Sequence, residues 1–551
     1  MISASVRGSK AIGNGVCVSG PVLCLYDILV TKSAQRIVFL TEARMSRLNA
    51  LWILIAIIAV GIGLRGYHLT ERSIWFDEAF SWRTVQFPMS EMMSRIQADV
   101  HPPLYYVLLK GWTYVFSGSA FAIRSFSVTC AGLSLASAYL FASYAFKSRR
   151  VGLMAATFLA ISPWVSFYGW EARMYPLGMT WALLSSYALL RAIRTTSLSW
   201  SVLYGVLATA LIYTHYYGFF TLAAHVLVVL GVLIYRTKWR PGELFHDRIW
   251  WGAVTATAII LVLYSFWLPT FLRQREQVEE SYWVPPVTAH SIPDTLYKIV
   301  APTQQPVSYE GAQALLSYAP LVGVIVLCAY AVIRFPKHEG LWITVLSGVV
   351  PFVCAAGISL FERSVYNDRF LAYAGIFLFI VAAYAIDRIR QQALRFGVFV
   401  VAIVFLVVTF VLYTQELSIS SKPGVQAAVN YVFEHRSADQ QVIVQSPYVF
   451  FPVLHYATEK FRSADAVHLY SSDREFTHFG GGPVIKSTDI VTPEDIASYT
   501  GTVWVIDTTG FSEKFFEAPS SWKEVDQRSF SEVFGYQGDI IVRELQVVDR
   551  K

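Results

Sequence analysis

At 551 residues the chain is 55% apolar and 15% aromatic, with charged residues held to 15% and a mean hydropathy of +0.46. Soluble domains carry about 25% charged residues, so this composition excludes an ordinary soluble enzyme and points to a bilayer. A formal charge of +6 gives no reason to expect a nucleic-acid partner.

Residues 1–44 fit poorly with the rest of the chain. The stretch 15–30 is apolar but carries Asp27 and lacks a small-residue cleavage site, so it does not read as a signal peptide. Met45 is followed by Ser46-Arg47 and a strong apolar run, the look of a start. Residues 1–44 are therefore expected to be a leader, disordered or mis-started. The five cysteines show no disulfide pattern: Cys17 and Cys24 lie in that leader, and Cys130, Cys328 and Cys354 fall in apolar segments as small hydrophobes.

A helix needs about 20 apolar residues to cross the hydrocarbon layer. About eleven runs qualify, near 48–66, 120–146, 151–169, 176–193, 200–215, 217–235, 249–271, 315–333, 341–360, 370–387 and 396–414. Six connections are short and basic: Arg44/Arg47, Lys147 to Arg150, Arg191/Arg194, Arg236 to Arg248, Arg334/Lys337 and Arg388/Arg390/Arg395. They alternate with long, aromatic or acidic connections, and cytoplasmic loops are the ones that collect Lys and Arg. The N-terminus is predicted inside and, with an odd number of crossings, the C-terminus outside.

Residues 103–116 look like a span but number only fourteen and contain Lys110. A span there would also move Lys147 to Arg150 outside, so an interfacial helix is predicted. The stretch 67–119 then forms one outer loop with two surface helices. Further outer connections fall at 169–175, 214–217, 272–314 and 361–369. The transmembrane part is predicted over 45–414, followed at 415–551 by a small extracytoplasmic α/β domain. There the pattern gives a helix at 425–436 and strands at 441–445, 503–507 and 539–542. The fold class is thus an α-helical polytopic membrane protein with a small C-terminal α/β domain.

The chemistry-bearing motifs fall on the predicted outer connections. Asp77 and Glu78 sit side by side just after the first span, where ions beside hydrocarbon are costly and usually kept for a task. Neighbouring helical positions point about 100° apart, so one carboxylate can face a cavity while the other pairs locally; the bland reading is a helix cap. His101 precedes Pro102-Pro103, whose place in a first helical turn costs no hydrogen bond; alone it reads as an interfacial residue. Glu171 and Arg173 come after the third span, where a self-contained ion pair is the simpler reading. An interfacial Tyr belt explains most of Tyr213 to Tyr217 and leaves over His215, with Tyr216 beside it. Arg369 ends the 361–369 turn, where a planar guanidinium suits phosphate oxygens or merely anchors the helix.

Taken together, Asp77-Glu78 after the first span, His101-Pro102-Pro103 and the acidic motif at Glu171 resemble the GT-C polytopic glycosyltransferases. Within them the chain is similar to glycosyltransferase family 39, relatives of the protein O-mannosyltransferases and the aminoarabinose transferase. The resemblance covers about residues 48–370. It implies inverting transfer from a polyprenyl-phosphate sugar to a lipid, glycan or protein hydroxyl at the periplasmic face of a bacterial inner membrane. Asp77 would be the general base and Glu78 its support. His101, Arg173, Arg369 and Tyr105 would lie at the donor phosphate, Glu171 would stand for the second acidic motif, and His215 and Tyr216 would contact substrate. No cofactor is implied. A divalent metal, were one used, would fall to Asp77 and Glu171, but Arg173 and His101 offer positive charge in its place. The chain departs from the pattern in having no lysine beside His101 and a Glu where an Asp is common. The competing readings are a transporter or flippase, for which a repeat and mid-membrane charges are missing, and a non-catalytic envelope scaffold.

Overall fold

The computed structural model describes residues 46–548 apart from 68, 239, 304–306, 420 and 512. The expected leader lies outside the described residues. The chain divides into two compact units, Met1–Ile53 and Leu54–Lys551. Of the first, residues 46–53 are described, helical from Arg47; the sheet and the site belong to the second.

Helices follow in order as α1 (Arg47–Gly66), α2 (Phe76–Gln86), α3 (Met89–Ala98), α4 (Leu104–Phe116), α5 (Ala120–Phe146), α6 (Arg149–Ile161), α7 (Pro163–Trp170), α8 (Tyr175–Thr195) and α9 (Leu198–Thr214). Then come α10 (Gly218–Thr237), α11 (Pro241–Leu244), α12 (Arg248–Tyr264), α13 (Leu268–Glu280), α14 (Ser291–Val300), α15 (Gln313–Arg334), α16 (Glu339–Phe361), α17 (Ala372–Asp387) and α18 (Gln392–Glu416). Among the described residues seven helices are long and apolar enough to cross a membrane: α1, α5, α10, α15, α16, α17 with its preceding turn, and α18. The pairs α6/α7 and α12/α13 pass only together and bend by 61° and 75°. The protein is an integral membrane protein.

All eleven predicted spans are helical, yet at most nine meet that test. The remaining two are α8, which carries Arg191 and Arg194, and α9, which is 17 residues long. The bends have local causes. Pro163 has no N–H to continue α6, and the Ser162 hydroxyl starts α7 afresh by accepting from Val165 N at 3.3 Å. Past Pro269, α13 carries Arg273, Arg275, Glu276, Glu279 and Glu280, too many charges to run on into hydrocarbon. The sequence pattern places a span through 271 and a bare loop to 314. The chain instead turns at Ser265, and α13 and α14 occupy much of that stretch. The stretch 67–119 holds three helices, α2, α3 and α4, where two are expected, because Pro88 and the Asp99–Pro103 turn divide it.

The C-terminal part is a six-stranded sheet with helices α19 (Gly424–His435), α20 (Pro447–Glu459) and α21 (Pro493–Ile496). Its strands are β1 (Val442–Val444), β2 (Val467–Tyr470), β3 (Ile490–Val491), β4 (Thr502–Thr508), β5 (Trp522–Ser531) and β6 (Asp539–Val547), in the order β3-β2-β1-β4-β6-β5. The first four run parallel, and β6 turns back antiparallel between β4 and β5. Buried on both faces, β1 and β4 read as continuous apolar runs. Helix α20 lays aromatic rings on α2: Phe76 meets Tyr448 at 4.9 Å and Phe451 at 5.8 Å, and Trp82 meets His455 at 4.9 Å. Arg83 Nη2 clasps both Asp489 oxygens, at 2.7 and 2.9 Å. The sheet part is therefore fixed to the helix that carries Asp77 and Glu78.

Candidate active site

The first turn of α2 sends its two carboxylates in opposite directions. Glu78 points inward and is wholly buried, accepting from Arg124 Nε at 2.7 Å, Arg124 Nη2 at 2.6 Å and Ala172 N at 3.0 Å. Burial pushes this carboxyl up, but the Arg124 charge and hydrogen bonds, with Arg72 and the Ala172 N–H, outweigh it and hold it below the usual range. Arg124 spends its other donors on the carbonyls of Leu69, Arg72 and Ser73. Glu78 thus fastens the segment before α2 to α5 and to the turn after α7.

Asp77 points the other way, into a cavity of about 250 Å³ whose walls include Trp75, His101, Arg173, Tyr282, Trp283 and Arg369. Its Oδ2 accepts from Arg369 Nη1 at 2.7 Å and lies 3.8 Å from Arg173 Nε. Arg369 sits in a 3-10 turn just before α17, its guanidinium over the rings of Trp75 at 4.8 Å and Trp283 at 5.7 Å. Arg173 is held from behind. Its Nη2 donates to His101 Nε2 at 3.1 Å, and His101 Nδ1 lies 2.7 Å from Asp99 Oδ2. A guanidinium only donates, so Nε2 is the acceptor and the ring proton sits on Nδ1, facing Asp99. The cavity wall therefore shows two guanidinium groups against the one carboxylate of Asp77, with Asp99 occupied by His101. That balance suits a phosphate.

A second cavity, of about 430 Å³, shares Val100, His101, Tyr282 and Phe370 with the first. It is apolar along Tyr217, Phe219, Phe220 and Phe271 and carries Arg275 and Arg363 together with Glu279 and Glu362, both of which pair with Arg275. His215 and Tyr216 line it. Burial pushes the His215 imidazole well below its ordinary value, with the nearby Arg173 charge adding, so it stays neutral at physiological pH. The Tyr216 hydroxyl accepts from Trp267 Nε1 at 2.9 Å and donates to Gln274.

The structure brings Asp77, His101, Arg173 and Arg369 together, and seats His215 and Tyr216 in the adjoining groove. Glu78, Glu171 and Tyr105 stand off the cavity wall. Glu171 is 2% exposed, and its Oε2 has no hydrogen-bond partner among the described residues. Burial pushes its carboxyl up to about 7, with Arg369 opposing. Tyr105 is buried against Tyr106 and Phe126 and is not among the residues of the cavity wall. Among the described residues no three His, Cys, Asp or Glu side chains are grouped to hold a metal ion.

Three groups escape the sequence reading. Asp99 and Arg124 do so although Asp99 stands two residues before His101, which is the signal that was there to use. The third is the cavity roof, Tyr448, His478, Phe511 and Tyr536 from the sheet part; these are scattered aromatic and His side chains with no motif.

Architecture and site together define the class: a membrane protein with the GT-C glycosyltransferase fold, similar to family 39. A sequence model of the family described as dolichyl-phosphate-mannose-protein mannosyltransferase matches residues 100–267. That segment holds His101, Glu171, Arg173 and His215, while Asp77 and Arg369 lie on either side of it. Among solved structures, ArnT from Cupriavidus metallidurans bound to undecaprenyl phosphate superposes with a TM-score of 0.54 at 12% identity, covering 89% of this chain and 97% of that one. Its apo state gives 0.53 at 11% identity over the same 89% and 97%. The apo oligosaccharyltransferase of Archaeoglobus fulgidus is similar with a TM-score of 0.49 at 12% identity, over 85% of this chain and 70% of that one. No curated protein sequence matches the chain significantly. At such identities the likeness to solved structures is one of fold.

Proposed function

We propose that the protein transfers a sugar from a polyprenyl-phosphate donor to an acceptor hydroxyl, with inversion, at the outer face of a bacterial inner membrane. One observation carries this reading: a carboxylate bracketed by Arg369 at 2.7 Å and Arg173 at 3.8 Å in a cavity that continues into an apolar groove. The donor phosphate takes the two guanidinium groups, and its prenyl chain lies in the groove past Phe370 and Phe219. Released from Arg369, the Asp77 carboxylate accepts the acceptor hydroxyl proton as the acceptor oxygen bonds to the sugar's anomeric carbon. The anomeric carbon–phosphate oxygen bond breaks on the opposite side, and polyprenyl phosphate departs with the electron pair. Since the leaving group is a phosphate, no general acid is required, and the guanidinium groups stabilise the charge that grows on it. His101 is a positioning residue that holds Arg173, and Glu78 positions the segment carrying Asp77. The alternating basic connections support an inside N-terminus and an outside site.

The test is release of polyprenyl phosphate from a panel of radiolabelled polyprenyl-phosphate sugars by detergent-purified protein. Wild type should turn over one donor, and Asp77→Asn should lose about 10²–10⁴-fold in rate while melting at the same temperature. Chelator should leave the rate unchanged, because guanidinium groups occupy the place of a metal. Undiminished turnover by Asp77→Asn would reduce Asp77 to a helix cap and sink the proposal.

A further inference from the structure

Arg72 precedes α2, and the transfer chemistry does not use it. Its guanidinium lies 6.0, 5.9 and 5.7 Å from the ring centroids of Phe167, Trp170 and Phe534. Among the described residues no carboxylate comes within ion-pair distance of it, and its Nε is buried with no hydrogen-bond acceptor. Glu78 and Glu171 act on it only through space, and Glu78 is already committed to Arg124. Trp170 Nε1 is likewise buried without an acceptor. Unmade hydrogen bonds of this kind are costly, so two neighbouring donors without acceptors mark a place built for something that accepts.

Both residues line a cavity of about 850 Å³ whose other walls include Leu64, Leu69, Phe410 and Leu417, with the Glu71 carboxylate at its polar end beside Arg72 in the chain. It lies where α1 and α18 end, and the apolar window of α18 is only 11% buried, leaving that helix facing lipid. The cavity shares no lining residue with the catalytic cavity or its groove. An anion with a long apolar tail satisfies both ends of it; a free anion would leave the apolar walls unused.

We infer that this cavity binds an anionic lipid, its phosphate headgroup accepting from Arg72 and Trp170 Nε1 and its chains lying along α1 and α18. The arginine fork matches phosphate oxygens, and the surrounding rings exclude water from the contact. One aromatic layer separates the headgroup from the Asp77 cavity: Phe534 packs on Trp75 at 6.3 Å and on Tyr536 at 5.6 Å. The inference does not depend on the transferase reading.

The test is native mass spectrometry of the full-length protein in neutral detergent, titrated with dioleoyl phosphatidic acid, dioleoyl phosphatidylcholine or inorganic phosphate. Wild type should retain phosphatidic acid under activation that strips phosphatidylcholine, and inorganic phosphate should not compete at equal concentration. Arg72→Gln should weaken one retained lipid roughly ten-fold, as loss of a charge-assisted contact does, and Arg72→Lys less. Gly63→Trp offers a second route that leaves Arg72 intact. A Cβ at Gly63, on the cavity wall, meets nothing within 4 Å, so the indole fills the cavity and should remove the same lipid. Equal phosphatidic acid retention by wild type, Arg72→Gln and Gly63→Trp overturns the inference. Equal retention of phosphatidylcholine, or displacement by inorganic phosphate, does so too.

Discussion

Replacing Glu78 by Ala separates a fastening carboxylate from a reacting one. Both members of the Glu78–Arg124 pair are out of water, with side chains 0% and 1% exposed, so no solvent screening softens the loss. The substitution removes two charge-assisted bonds of 2.7 and 2.6 Å and the acceptor of the Ala172 N–H at 3.0 Å. It leaves Arg124 charged and buried with only the carbonyls of Leu69, Arg72 and Ser73. Breaking a buried pair from one side costs about 3–5 kcal/mol. Glu78→Gln, which keeps an acceptor for Ala172, should cost about 2 kcal/mol. In a chain of this size the Ala substitution should lower the apparent melting temperature in detergent by about 3–4 °C, with Glu78→Gln in between. The assay is thermal unfolding followed by intrinsic fluorescence, alongside donor turnover at a temperature where each variant is folded. Turnover by folded Glu78→Gln should stay within about ten-fold of wild type, equivalent to 1.4 kcal/mol of misplacement. A Glu78→Gln protein that melts like wild type and has lost turnover completely would refute this account and make Glu78 a reacting group.

The remaining predictions concern groups around the cavity. Glu171 has its carboxyl pushed up to about 7, from 4.5 in the unfolded chain, by burial. The folded protein therefore holds this proton to higher pH than the unfolded chain, so its contribution is fully present below about 4.5. It declines as pH rises to about 7 and is flat above, a loss of about 3 kcal/mol. Melting temperature measured from pH 5 to pH 8 should fall for wild type and fall less for Glu171→Gln; parallel profiles would show that Glu171 does not titrate in this window. For His101→Ala, which frees Arg173 from its 3.1 Å contact, donor turnover should drop about ten-fold with thermal stability nearly kept. An unchanged rate would mean that Arg173 needs no such support.

How far the sequence carries depends on which signal a feature leaves. Among the described residues hydropathy finds each helix long and apolar enough to cross a membrane, because each needs a sustained apolar run whatever its neighbours are. It misjudges where those runs stop crossing. The break at Ser265 and the charged α13 leave a single apolar tract up to Phe271, and the 75° turn between them is a matter of tertiary packing. The same holds at Ser162-Pro163, where one run becomes two helices bent by 61°. In the sheet part the three expected strands are β1, β4 and β6, which have buried apolar faces. By contrast β5 is exposed or half-buried along its length and leaves no alternation to read.

The site divides along the same line. Asp77, His101, Arg173 and Arg369 each have a bland explanation alone and stand out in sequence only because they fall together on the predicted outer connections. That Asp77 and Glu78 face different ways, about 100° apart, also follows from helical geometry alone, but which one faces the cavity does not. That is decided by Arg124, 46 residues further on, whose place in α5 looks from sequence like any polar residue near a helix end. The cavity roof is harder still. Tyr448, Phe511 and Tyr536 come from three separate stretches of the sheet part and are brought over Asp77 only because α20 packs on α2. Those aromatic rings partly cover the Asp77–Arg369 pair, whose side chains are each 19% exposed, and electrostatic contacts count for more as water is displaced. The two parts of the chain are therefore joined at the site as well as in packing: the helices supply the charges, and the sheet part supplies the aromatic cover under which the proposed transfer would take place.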